Sequence, residues 1–140
     1  MENLYLGDMM AASSKDLLQK YGITHILTVA KGHPPLFPHS FKYKVIPVLD
    51  SAATNLRRRF TEGIGFIKEA MANGGKVLVH CFAGVSRSAT MVIAYMMQEH
   101  ALSYHSAIKF VKGKRAFINP NDGFRMQLIQ FGKELADNKA

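Results

Sequence analysis

The segment that most restricts the fold runs from Lys76 to Met97. Lys76-Val77-Leu78-Val79-His80 is a short apolar, β-branched run with the length of an interior strand. It ends at Cys81, and Gly84 lies in the turn that follows. From Ala89 to Met97 the chain is apolar nearly all round, the pattern of a helix enclosed by a core rather than lying on a surface. A buried strand that passes through a tight loop into a buried helix needs covering layers on every side, and the rest of the chain must supply them.

The remaining segments read as those layers. Asn3 to Gly7 is a short strand, and Ser13 or Ser14 can cap a helix over Lys15 to Tyr21 with Gly22 at its exit. Ile23 to Ala30 is a second strand and Tyr43 to Leu49 a third, separated by a loop with Pro34, Pro35 and Pro38. Leu56, Phe60, Ile64, Ile67 and Met71 form one helical stripe closed by Gly74-Gly75. Ser103 can start a helix through Arg115, and Asn121 or Asp122 a last one with Phe124, Leu128, Phe131 and Leu135 in register. Residues Ala136 to Ala140 are expected to fray. Alternating strands and helices with long crossovers predict an α/β fold, a mostly parallel central sheet with helices on both faces. At 140 residues the chain is expected to be one domain, 1–140.

The loop between strand and helix has a definite chemistry. A helix start leaves backbone N–H groups unpaired and carries the positive end of the dipole, so it suits an anion. Gly84 lets the backbone curl around such a guest, and Arg87 adds a planar fork of donors that matches two phosphate oxygens. The same groups would favour a thiolate at Cys81, the only cysteine, and only the thiolate is a competent nucleophile. A hydroxyl at Ser88 could donate to the sulfur when it leaves again. Arg87 as a purely structural residue would oppose the helix dipole.

Thiolate attack on a phosphate ester also needs a group that protonates the leaving oxygen and then activates water. Asp50 stands just past an apolar strand, as Cys81 does, and parallel strands bring their carboxyl ends to one sheet edge. Asp8, at another strand end, is the reserve candidate. Asn119, Asn121 and Asp122 form a polar turn whose capping duties explain them equally well. His80 is expected to hold neighbours by hydrogen bonds rather than to move the proton. Arg57-Arg58-Arg59 follow the acid segment, and one of them could touch substrate.

The segment His80-Cys81, five residues, Arg87-Ser88 resembles the signature of the cysteine-based protein tyrosine phosphatases, and Ala83-Gly84-Val85-Ser86-Arg87-Ser88-Ala89 resembles their dual-specificity branch. Leu4-Tyr5-Leu6-Gly7, Ile23-Thr24-His25-Ile26-Leu27, Tyr43-Lys44-Val45-Ile46-Pro47-Val48, Gly74-Gly75-Lys76-Val77-Leu78-Val79 and Asn119-Pro120-Asn121-Asp122-Gly123-Phe124 are similar to the same branch. The resemblance implies hydrolysis of phosphotyrosine and of phosphoserine or phosphothreonine through a phosphocysteine, without a cofactor or metal. Cys81 would be nucleophile, Arg87 the phosphate clamp, Asp50 the general acid and base, and Ser88 a helper of the sulfur. The loop of Phe82, Ala83, Gly84, Val85, Ser86 and Arg87 would hold the phosphate. Partners would be phosphorylated proteins, with a protein kinase among the candidates.

Charge narrows this little. A net charge of +8 favours anionic partners, among them phosphoproteins, nucleic acids and phosphoinositides. No nucleic-acid motif is present, so nucleic acid is not expected as a partner. Phe82, Ala83, Val85 and Ser86 carry no charge, which argues mildly against a polyanionic head group. A module that docks phosphoproteins without turnover is the reading from another class. No leader and no apolar run of membrane-spanning length is seen, and one thiol suits a reducing compartment, so cytoplasm, alone or with nucleus, is the expected location.

Overall fold

The computed structural model describes residues 2–138. Its elements in chain order are β1 (Leu4–Gly7), α1 (Met9–Ala12), α2 (Lys15–Lys20), β2 (His25–Val29), β3 (Lys42–Ile46), a 3₁₀ turn (Arg57–Arg59), α3 (Phe60–Ala72), β4 (Val77–His80), α4 (Arg87–Glu99), α5 (Tyr104–Lys114) and α6 (Asp122–Asn138). The described strands form one sheet in the order β1-β4-β2-β3, and every pairing is parallel. The expected α/β architecture is the observed one. β4 lies between β1 and β2, so both of its edges are hydrogen-bonded, which suits a run with no polar face.

Side chains of a strand alternate between faces, and the core divides accordingly. Val77 and Val79 of β4, with Leu27 and Val29 of β2, join a large cluster with Ile64, Ile67, Met91, Ile93, Phe124 and Leu128. Leu78 and Ile26 point the other way, onto a smaller cluster with Ala12, Leu18, Ile23 and Phe41. Helices α3 to α6 therefore supply the larger layer and α1 with α2 the smaller. Within the larger layer α4 is buried from Ser88 to Met97. Full burial of a side chain the size of Met91, Ile93 or Met97 is worth about 1.5–3 kcal/mol. The polar residues caught in that burial are satisfied, Thr90 Oγ1 donating to the Ser86 carbonyl at 2.7 Å.

Several boundaries differ from the sequence expectation for local reasons. The third strand ends at Ile46, not Leu49, because Pro47 has no N–H to continue a ladder. The α3 stripe begins with the 3₁₀ turn at Arg57, and the α-helix proper starts at Phe60. Helix α1 was not expected: the Asp8 carboxylate accepts the Ala11 N–H at 3.0 Å and stabilises four residues too few to show periodicity. Ser14 caps α2 and Ser103 caps α5, as expected. The C-terminal helix continues through Asn138, so residues 136–138 are helical rather than frayed, and Lys139 and Ala140 lie outside the described residues. No helix of the described residues is long and apolar enough to cross a membrane.

Candidate active site

Parallel pairing of β3, β2 and β4 brings the segments that follow β3 and β4 to one edge of the sheet, and these carry Asp50 and Cys81. Cys81 is 2% exposed. Its Sγ accepts the Gly84 N–H at 3.3 Å and lies 3.1 Å from Ser88 Oγ, so an amide donor and a hydroxyl converge on the sulfur. Gly84 has φ +69°, where an L side chain is strained. A Cβ there would stand 2.7 Å from Arg115 Nη2 and from the Gly7 carbonyl oxygen, so glycine is required twice over.

Ser86 precedes α4, but its hydroxyl does not cap the helix; it accepts the Asn121 N–H at 3.0 Å. The first turn of α4 thus has no side-chain cap and faces the loop with its amides. Arg87 opens the helix, and its Nη1 donates to the Val48 carbonyl at 3.0 Å, just before Asp50. Arg87 Nε is buried without a partner. A buried donor without an acceptor costs about 1–3 kcal/mol, a cost that an anion in the loop would remove. Phe82 and Ala83 are exposed at the rim, where Phe82 stacks on His33, while the Val85 carbonyl accepts the Asn119 N–H at 2.8 Å.

His80 supports the loop from behind. Its Nε2 is 2.8 Å from Thr28 Oγ1 and its Nδ1 is 3.3 Å from the Cys81 carbonyl. Burial lowers its pKa from the usual 6.5 to about 4, so the ring is neutral at physiological pH. Arg115 braces the loop from the other side. Its Nε donates to the Gly84 carbonyl at 3.0 Å and its Nη2 to that of Ala83 at 3.3 Å, while Phe117 lies under the guanidinium. Holding both carbonyls back leaves the N–H side of these peptides turned toward the loop's interior.

The acid segment is built differently. Asp50 is exposed, and its Oδ1 accepts from Asn121 Nδ2 at 2.9 Å. Asn121 therefore joins the loop that follows Cys81, through Ser86, to Asp50. Gln127 Oε1 accepts the N–H groups of Leu56 and Arg57, both at 2.9 Å, and its Nε2 donates to the Thr54 carbonyl at 2.8 Å. The reserve acid Asp8 is occupied, capping α1 with Oδ1 and lying 3.7 Å from Arg115 Nη2 with Oδ2. With Phe82 and Ala83 it lines a mainly apolar cleft of about 510 Å³ beside the loop.

Of the three arginines, Arg57 pairs with Glu134 and Arg59 with Glu62, whose carboxyl the Arg59 hydrogen bond holds below its ordinary pKa. Arg58 is exposed. Asn119 Oδ1 accepts from Arg125 Nη2 at 2.7 Å, and Asp122 begins α6. Among the described residues no three His, Cys, Asp or Glu side chains are grouped to hold a metal ion.

The structure thus brings Cys81, Ser88, Arg87 and the loop from Phe82 to Ser86 around one sulfur, with Asp50 tied to the same site. Sequence reasoning missed Arg115, Gln127, Thr28 and the bond from Asn121 to Asp50. The polar turn at residues 119–122 was the one available signal among them.

Known proteins are similar to this chain in sequence and in fold. The family model described as the dual specificity phosphatase catalytic domain matches residues 4–134. Dual specificity protein phosphatase 1 of Arabidopsis thaliana is 48% identical over 134 residues, which cover 96% of this chain and 68% of that protein. Dual specificity protein phosphatase 1B of the same plant is 44% identical over 137 residues, 98% of this chain and 82% of the relative. The crystal structure of DUSP15 superposes with a TM-score of 0.91 at 37% identity, covering 98% of this chain and 92% of that one.

Proposed function

The chain belongs to the dual specificity phosphatase family, and from that premise we propose that it hydrolyses phosphotyrosine and phosphoserine or phosphothreonine in proteins by way of a phosphocysteine at Cys81. The observation that carries this reading is the sulfur itself. Cys81 Sγ sits at the base of the loop with Gly84 N–H and Ser88 Oγ on it, while Arg87 Nε lies buried with no acceptor.

In the first step the Cys81 thiolate attacks phosphorus, the ester P–O bond breaks, and Asp50 gives its proton to the departing oxygen. Backbone N–H groups of residues 82–86 and the Arg87 guanidinium hold the phosphoryl oxygens, whose charge must be balanced in the transition state. In the second step a water attacks the phosphocysteine, Asp50 takes the water's proton, and the P–S bond breaks to release inorganic phosphate. The Ser88 hydroxyl stabilises the sulfur as it regains its negative charge. His80, neutral and fixed between Thr28 and the Cys81 carbonyl, shapes the loop and takes no part in proton transfer.

The test is hydrolysis of nitrophenyl phosphate with EDTA present. Activity is expected to survive chelation, to vanish in Cys81→Ser, and to fall about 100-fold in Asp50→Ala, a typical loss for a general acid. Turnover by Cys81→Ser at the wild-type rate would overturn the mechanism. Matched phosphotyrosine and phosphothreonine peptides then test the dual specificity.

A further inference from the structure

We propose that Asn121 is the positioning residue for Asp50 and decides which of its two oxygens carries the proton; this rests on Asp50 being the general acid and base. Asn121 stands just ahead of α6, with its backbone N–H, its amide oxygen and its amide nitrogen each in a hydrogen bond. Its backbone N–H donates to Ser86 Oγ at 3.0 Å, its Oδ1 accepts the Phe124 N–H at 2.8 Å, and its Nδ2 donates to Asp50 Oδ1 at 2.9 Å. The middle bond caps the helix and so fixes the amide's orientation. With the oxygen committed to the helix, the amino group must face the acid.

An amide NH₂ donates and cannot accept. It bonds a carboxyl oxygen through a lone pair, so Asp50 Oδ1 remains an acceptor whether or not the acid is protonated. Because the carbonyl oxygen of a protonated carboxyl is a better acceptor than its hydroxyl oxygen, the bond favours the transferable proton on Oδ2. The first bond then sets the distance, because Asn121 hangs from Ser86 of the loop that holds the phosphate. One residue ties the proton donor to the phosphate cradle without passing through the sheet.

The rest of α6 supports the arrangement. Gln127 pins the far end of the acid segment at Thr54, Leu56 and Arg57. Gly123 meets the middle, where a Cβ would stand 2.1 Å from the Ala52 carbonyl oxygen. Side chains do not intervene between helix and segment at that point, so the backbone position of the acid is transmitted from α6 directly.

A residue that acts through the acid should matter in proportion to how much the leaving oxygen needs a proton, which a purely structural residue would not do. Asn121→Asp keeps an acceptor for the Phe124 N–H, so the helix stays capped, but replaces the donor facing Asp50 with a second carboxylate oxygen. Asn121→Ser, also a capping residue, removes the donor without adding charge. In the full chain, kcat on phenyl phosphate, a poor leaving group, is expected to fall about tenfold in both variants with little change in KM. The loss on nitrophenyl phosphate, a good leaving group, should be several times smaller.

Equal losses on both substrates in folded variants, or a loss confined to KM, would overturn the proposal. Asp50→Ala is measured alongside. If it shows the leaving-group dependence and neither Asn121 variant does, the role of Asn121 alone fails. If Asp50→Ala lacks that dependence, the assignment of the acid fails and this proposal with it.

Discussion

Cys81 and Asp50 follow parallel strands of one sheet, yet their surroundings have little in common. Cys81 is 2% exposed, ahead of a helix buried from Ser88 to Met97, and the loop is gripped by Arg115 in front and His80 behind. Asp50 is exposed, in a segment without regular structure that is held by the side chains of Asn121, just ahead of α6, and of Gln127 within it. The geometry of the proposed nucleophile is thus a property of the core, and that of the proposed acid a property of a few hydrogen bonds. A nucleophile placed to a fraction of an ångström needs the first kind of support. An acid proposed to serve two successive steps can work with the second.

Substitutions at the two ends of that contrast should differ in size. Gly84→Ala strains φ and drives a Cβ into the Arg115 guanidinium and the Gly7 carbonyl, the second of which is backbone. Activity is expected to fall by at least about 100-fold with every substrate, and vanadate, a phosphate mimic, to bind more weakly, as titration would show. Retained vanadate affinity would break the claim that the core sets the loop.

Acidification comes next. Unfolded His80 takes a proton near 6.5 and native His80 only at about 4, so between those values the unfolded chain binds more protons. Stability therefore rises with pH across the window and is lost as pH falls through it. The loss is on the order of 3 kcal/mol at most, since each tenfold difference in proton affinity between the two states is worth ~1.4 kcal/mol. Urea titrations at pH 7 and pH 4.5 measure it, and His80→Gln should lessen its pH dependence.

Gly123→Ala belongs to the acid side. Its Cβ pushes on the Ala52 carbonyl, so phenyl phosphate turnover should drop about tenfold while vanadate affinity stays near wild type. An equal loss of both would mean that the two regions are not separable. The smallest effect is expected for Gln127→Ala, whose loss of three hydrogen bonds at a half-exposed site should lower stability by roughly 1–3 kcal/mol, read as a drop in the urea midpoint.

The same contrast explains what could be read in the sequence. The chemistry of Cys81, Gly84, Arg87 and Ser88 was legible because those residues lie within eight consecutive positions and the strand, turn and helix around them are local patterns. Asp50 could be chosen because the parallel sheet, itself predictable from alternating elements, determines which strand ends share an edge. Arg115 lies 31 residues from Gly84, and Asn121 71 from Asp50. Nothing in periodicity or propensity links such positions, since the link depends on how α5 and α6 pack on α4. The cap that forms α1 is local, but four residues with one capping Asp look the same as a turn until the Ala11 N–H is seen to point at it.

The chain order of these parts has a consequence for how the protein comes into being. The proposed nucleophile, clamp and acid all precede residue 88, but three of the groups that hold them, Arg115, Asn121 and Gln127, come later in the polypeptide. During synthesis Asp50, Cys81 and Arg87 therefore emerge before Arg115, Asn121 and Gln127. A nascent chain that has emerged only as far as residue 88 would then carry these proposed reactive groups without three of the side chains that hold them.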